Sequence, residues 1–227
     1  MKVLITGATG KIGSAALTQC LAHPDITSVV ALTRRSLPEN ISSHAKLETV
    51  IMEDFTQWPP ELLNKHADAK AMIWALGSFE GSQMVDFDWP RSFQEAMIKH
   101  RSQQSDPPAP FRYIHLSGKF VRQDQDTTLF FMGFHRRLKG RHEMAAIALA
   151  EKTGPWWDLI IVRPGGVVGD GAFGSVITAL VPGMIQDKDL GAYMAFLAAG
   201  GAAKGPIIYN EQIVKEGREH LKALEGN

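Results

Sequence analysis

Cysteine is nearly missing from this chain: Cys20 is the single one among 227 residues. One thiol excludes an intrachain disulfide framework and suits a reducing compartment. Lying inside a predicted helix, it reads as a small buried hydrophobe. A charge excess is missing as well. Lys plus Arg and Asp plus Glu each number 24, so there is no basic field to attract nucleic acid and no acidic bias toward a disordered tail. No run of 18 apolar residues occurs, and residues 1–6 read as a core strand rather than a signal peptide. The expectation is a soluble, cytoplasmic protein with no membrane partner. Asn40-Ile41-Ser42 matches a glycosylation sequon, a pattern common by chance that matters only on a secretory route. Neither H-E-x-x-H, paired cysteines nor tight His/carboxylate spacing appears, so no metal is expected. Repeats and low-complexity linkers are absent too, and the length suits one large core.

What is present starts at once. Val3, Leu4 and Ile5 run into Thr6-Gly7-Ala8-Thr9-Gly10-Lys11-Ile12-Gly13, followed by a helix-compatible stretch from Ser14 to Ala22. Glycines at G-x-x-G-x-x-G spacing let a chain turn sharply off a buried strand, while the new helix aims free N–H groups at a phosphate. Alone, such a triplet is equally an ordinary turn; between a strand and a helix it has the context of a dinucleotide site. Gly7, Thr9, Gly10, Lys11, Ile12 and Gly13 are therefore expected to line a nucleotide. A G-x-x-x-x-G-K-[ST] phosphate loop does not fit, because Lys11 comes four residues after Gly7 and Ile12 follows it.

Further strands are predicted over Val29–Leu32, Lys46–Ile51, Ala69–Ala75, Phe111–Leu116, Asp158–Val162 and Pro206–Tyr209. Helical patterns occupy Met84–Gln104, Phe130–Lys152, Leu190–Ala199 and Glu211–Glu225, with a breaker at Ser105–Pro110. Strands alternating with helices predict an α/β fold, a doubly wound, mostly parallel Rossmann sheet with helices on both faces. We expect one domain over 1–227 with a small C-terminal substrate-side region from about 166. After the second strand stand Arg34 and Arg35, where an NAD-specific site would carry an acid; arginines suit a 2′-phosphate, so NADP(H) is preferred over NAD(H). They are otherwise a solvated pair in a loop. Asp54 and Phe55 follow the third strand, where a loop meets the adenine edge and face. Ala75, Leu76 and Gly77 end the fourth, as a floor for the cofactor, and Ser117 ends the fifth on the same side. Arg163-Pro164-Gly165-Gly166 opens a glycine-rich, mobile stretch that either passes near the nicotinamide or is simply a loop.

Together these residues resemble the atypical short-chain dehydrogenase/reductases, especially the branch that looks like the Tat-interacting protein and the nitrogen-metabolite-repressor-like proteins. The marks are the glycine motif, Arg34, Asp54, Ala75-Leu76-Gly77, Leu116-Ser117, Lys139-Gly140 and Arg163-Pro164-Gly165. The resemblance covers nearly the whole chain and implies an NADP site that includes Pro164, Gly165 and Lys139. It also implies catalytic roles: Ser117 orienting a carbonyl, and Lys139 holding the nicotinamide ribose and lowering the pKa of a tyrosine four residues before it.

That tyrosine is missing. Position 135 is histidine, and no Y-x-x-x-K occurs anywhere in the chain. His135 shares a helix face with Lys139 at i, i+4. Histidine has a reference pKa near 6.5 against roughly 10 for tyrosine, and a neighbouring Lys⁺ pushes it lower, so a neutral ring suits proton acceptance. Otherwise His135 is one residue of a basic helix face. The expectation is an NADP(H)-dependent oxidoreductase of a small carbonyl or alcohol, with Ser117, His135 and Lys139 as catalytic residues. The alternative is a non-redox NADP-binding protein, either a redox-sensing regulator or an isomerase/cyclase using the cofactor as scaffold. His115 is expected to be a core or second-layer histidine, and Leu116-Ser117-Gly118 lacks the G-x-S-x-G elbow of a hydrolase.

Overall fold

A computed structural model describes residues 1–103 and 110–226. Gln104, the expected end of the Met84–Gln104 helix, and most of the Ser105–Pro110 breaker fall outside these. In chain order the strands are β1 Lys2–Thr6, β2 Ser28–Thr33, β3 Leu47–Ile51, β4 Ala71–Trp74, β5 Phe111–Leu116, β6 Trp157–Arg163, β7 Gly166–Val168, β8 Met184–Gln186 and β9 Ile207–Tyr209. The helices are α1 Lys11–Ala22, α2 Glu39–Ser42, α3 Pro60–Lys65, α4 Trp89–Ser102, α5 Gly133–Thr153, α6 Ala172–Leu180, α7 Asp187–Ala198 and α8 Asn210–Glu225.

Seven strands form one sheet in the order β3-β2-β1-β4-β5-β6-β9, every pair parallel, while β7 and β8 pair separately. The apolar runs explain this directly. A parallel strand is covered on both faces, so alternate residues must all be apolar, and β4 is buried at all four positions. Val3, Ile5, Ala71, Ile73, Ile114 and Ile160 go to one face, under α1, α7 and α8; Leu4, Met72, Trp74, Tyr113 and Ile161 go to the other, under α4 and α5. The expected doubly wound α/β fold is what forms. Cys20 sits in the first of these cores, and burial pushes its thiol up to about 12.

Strand order reverses direction between β1 and β4, and all strands point the same way. The carboxyl ends of β1, β2, β4, β5 and β6 therefore open on one crevice.

Several elements depart from expectation. Helix α1 starts at Lys11 rather than Ser14, directly after the extended Gly10. The predicted Met84–Gln104 helix opens with a π-helical turn over Met84–Asp88, next to Pro90, which has no N–H for a regular helical bond. Helix α5 starts at Gly133, since Met132 takes a left-handed φ of 46°. The glycine-rich stretch from Gly165 to Gly174 carries β7 and the start of α6. Two of its glycines serve close packing: a Cβ on Gly165 would overlap the Gly183 carbonyl, and one on Gly174 would overlap that of Gly169.

Candidate functional site

The glycine motif lies at the crevice. Gly7 has φ +73°, and a Cβ there would stand 2.5 Å from the Ala75 carbonyl oxygen; a Cβ on Gly13 would overlap the Gly7 carbonyl. These two glycines let β1, β4 and α1 meet. Gly10 differs. It is exposed, donates its N–H to Gly7 O at 2.8 Å and precedes α1 with no side-chain cap. Thr9 and Lys11 are exposed beside it, and no acidic residue stands in the first turn. An uncapped helix N-terminus behind a glycine turn leaves backbone donors for an anion, so these residues fit a dinucleotide phosphate. Ile12 tucks into the core under this turn, and Lys11 Nζ reaches Val167 O at 3.2 Å, tying the motif to β7.

Arg34 and Arg35 follow β2 and are exposed, with the Arg34 guanidinium 5.6 Å from the Trp89 ring centre. Asp54 is exposed, and its carboxylate accepts from the Thr56 backbone N–H at 2.8 Å and the Thr56 hydroxyl at 2.7 Å; the hydroxyl bond leads in holding its pKa below the ordinary value. Phe55 corrects the sequence reading. Its ring, expected against an adenine face, is 1 % exposed and packs among Trp58, Trp74 and Trp89, because the second core needs an aromatic there.

At the end of β4, Gly77 is flanked by Lys139 and Asp86: a Cβ there would stand 3.3 Å from Lys139 Nζ and 3.2 Å from Asp86 Oδ1. Lys139 thus comes to the strand-end floor formed by Ala75, Leu76 and Gly77. Its Nζ lies 3.5 Å from Asp86, whose side chain is almost fully buried. Asp86 also accepts from the Ser78 N–H at 3.0 Å, the Ser82 N–H at 2.9 Å and the Ser78 hydroxyl. Burial works to raise its pKa, yet the Lys139 charge and these donors outweigh it, and the carboxyl stays below its usual range.

One helical turn before Lys139, His135 packs under the Gly81 backbone, and its Nε2 is buried with no partner among the described residues. Burial, then the Lys139 charge, lower its pKa, with Asp86 opposing. Beside it opens an apolar recess of about 490 Å³ lined by Phe79, Phe131, Met132 and Phe134.

One turn beyond Lys139 stands Glu143, fully buried. It accepts from the Ser117 hydroxyl at 2.5 Å, Arg163 Nε at 2.9 Å, a second Arg163 nitrogen and Gln123 Nε2 at 3.0 Å. Burial opposes the charge on Arg163, but the Glu143 bonds and charge outweigh it and raise its pKa. Sequence reasoning missed both Asp86 and Glu143. The signal for Glu143 was its i, i+4 spacing from Lys139; Asp86 offered none. Beyond Arg163, Pro164 is buried and Gly165 donates its N–H to Asn210 Oδ1 at 2.6 Å.

Behind these residues the His115 and His142 rings meet tilted by 38° with their centres 4.3 Å apart, and Gln94 Nε2 lies 3.3 Å from His142 Nε2. Burial pushes His142 down to about 3 and leads in holding His115 well below its ordinary value, so both rings are neutral. His115 is the core histidine it was expected to be.

No family model matches the chain. A curated relative from Emericella nidulans, named as the mitochondrial protein fmp52, is 27 % identical over 251 aligned positions, covering 96 % of this chain and 99 % of the relative. Relatives from Aspergillus terreus and Candida albicans also carry mitochondrial fmp52 names. These names overturn the expectation of a cytoplasmic protein, which rested on the absence of secretory and membrane signals and had nothing to say about organelles. Among the described residues no helix is long and apolar enough to cross a membrane.

Among solved structures, the oxidoreductase ylbE from Lactococcus lactis is 21 % identical with a TM-score of 0.68, covering all of this chain and 98 % of that one. Gre2 from Candida albicans, in complex with NADPH, is 17 % identical with a TM-score of 0.65, covering 92 % of this chain and 78 % of that one. A short-chain dehydrogenase from Burkholderia cenocepacia, in complex with NADP, is 17 % identical with a TM-score of 0.63, covering 98 % and 95 %. The chain shares the Rossmann fold of these oxidoreductases and carries histidine, His135, four residues before Lys139.

Proposed function

We propose that this protein is an NADP(H)-dependent oxidoreductase acting on a small, largely apolar carbonyl or alcohol. The observation that carries the reading is Lys139, brought beside Gly77 at the same crevice as the glycine turn and held there by a buried carboxylate. In this reading the N–H groups of Lys11, Ile12 and Gly13 hold the pyrophosphate, with Gly7, Thr9 and Gly10 shaping the turn. Arg34 and Arg35 meet the 2′-phosphate, Asp54 the adenine edge, and Ala75, Leu76, Gly77, Pro164 and Gly165 line the remaining length. Lys139 donates to the nicotinamide ribose. The bound nucleotide supplies or accepts the hydride. His135, neutral near pH 7, accepts or returns the substrate proton, and Ser117 contacts the substrate oxygen. The apolar recess beside His135 supports an apolar substrate.

A second reading, a non-redox NADP-binding protein, is favoured by one observation: the position four residues before Lys139 holds no tyrosine but His135, whose Nε2 is buried. One experiment separates the two. NADPH and NADH are titrated into wild type and Arg34→Ala, and NADPH oxidation is then followed with a panel of carbonyl compounds for wild type, His135→Phe and Lys139→Ala. Turnover that Lys139→Ala abolishes is expected. NADPH binding with no such turnover would leave the non-redox reading, and an unaltered NADPH/NADH preference in Arg34→Ala would remove the 2′-phosphate assignment.

A further inference from the structure

We infer that Glu143 is a positioning residue that fixes Ser117 as a hydrogen-bond acceptor, so that the subsite at Ser117 selects a hydroxyl over a carbonyl. The inference rests on the reading above that places Ser117 on the substrate side. A serine hydroxyl has one proton and two lone pairs. Here the proton is committed: it is donated at 2.5 Å to a fully buried carboxylate, in the short, charge-assisted class of bond. The carboxylate cannot turn away, because Arg163 grips both its oxygens and Gln123 holds one of them. Nor can the serine backbone shift freely, since its N–H is bonded to Val162 O at 2.8 Å within the continuation of the β5–β6 ladder.

Ser117 therefore has only lone pairs to offer a ligand. A ketone oxygen would set lone pair against lone pair, whereas an alcohol supplies the missing proton. Loop residues close this arrangement from outside: α5 has glycine at 140, where a Cβ would overlap the Arg122 carbonyl, so the Arg122–Gln123 backbone lies flat on the helix and brings Gln123 to Glu143. A site built to satisfy a substrate O–H discriminates against an analogue lacking it more sharply than an apolar pocket discriminates by size.

Glu143→Gln tests this by chemistry. With the carboxamide oxygen in place of Oε2, the side chain keeps the second Arg163 nitrogen and Gln123 as donors, and the NH₂ in place of Oε1 gives up the Arg163 Nε bond and donates to Ser117, which then accepts from the protein and regains a proton to donate. The probes are cyclohexanol and cyclohexanone, with dissociation constants measured by ligand-detected NMR on the full chain without nucleotide, where neither can react. For wild type we expect the alcohol to bind about five- to tenfold tighter, the worth of one net hydrogen bond. Glu143→Gln should erase or invert that ratio. Ser117→Ala, which disturbs no charge and serves if Glu143→Gln does not fold, should bring the ratio to about one. A wild type that prefers the ketone, shows no preference or binds neither probe overturns the inference. So does Glu143→Gln weakening both probes equally with the ratio kept, or Ser117→Ala keeping it. NADPH titration of the same samples is independent: its failure would sink the oxidoreductase reading and leave the alcohol/ketone ratio to be judged alone.

Discussion

Removing the Asp86 carboxylate tests whether the site is held by a buried charge rather than by loop packing. Asp86→Ala takes the acceptor from the Ser78 and Ser82 N–H groups at 3.0 and 2.9 Å, from the Ser78 hydroxyl, and from Lys139 at 3.5 Å. Breaking one partner of a buried pair costs about 3–5 kcal/mol. The Lys139 side chain keeps 16 % of its surface and can turn to water, which argues for the lower end, about 3 kcal/mol. Urea unfolding followed by tryptophan fluorescence at pH 7 measures it. The pH dependence is a second handle. Because the folded state holds the Asp86 pKa below its unfolded value, its contribution is complete above the ordinary carboxylate range and is lost as pH falls through the folded value. The gap between wild type and Asp86→Ala should therefore close in acid. A difference under about 1 kcal/mol at pH 7, well below the buried-pair range, or a gap constant with pH, would refute the argument.

Three further outcomes follow from named contacts. His142, pushed down to about 3 by burial, stays neutral in the folded state while the unfolded chain binds its proton below pH 6.5, so stability should fall with pH there by about 1.4 kcal/mol per unit per histidine. Urea midpoints at pH 7, 6 and 5 should fall less steeply for His142→Leu than for wild type; parallel lines would show that the ring is not buried neutral. Gly13→Ala places a methyl on the Gly7 carbonyl, backbone against backbone, and should cost about 1–3 kcal/mol or more together with NADPH binding; a calorimetric titration that finds normal affinity would contradict the geometry. Phe55→Ala should cost about 3–5 kcal/mol as a core truncation while leaving NADPH affinity nearly unchanged, and a selective loss of affinity would restore Phe55 to the adenine site.

What the sequence determined by itself was whatever short-range chemistry encodes. Two-sided apolar runs can only be buried parallel strands, and Gly7 and Gly13 are needed for contacts between β1, α1 and β4 that their spacing already announces. His135 and Lys139 on one helix face, Cys20 in the core and the order of strands and helices were legible for the same reason: neighbours along the chain decide them. The aromatic Phe55 looked available because a loop residue after a strand end often is; only the packed Trp58, Trp74 and Trp89 turned its ring inward. Gly165 and Gly174 read as loop glycines, since nothing local shows that the Gly183 and Gly169 carbonyls press against them. Asp86 was invisible as a site residue, and Glu143 showed only its i, i+4 spacing from Lys139. A carboxylate in a helix reads as solvated until distant segments supply its donors, and here Lys139 reaches Asp86 across 53 positions while Ser117 and Arg163 reach Glu143 from two different strand ends. Which way a hydroxyl points, and which charge is buried, were decided by tertiary structure alone, because both depend on partners that meet only when the sheet has formed.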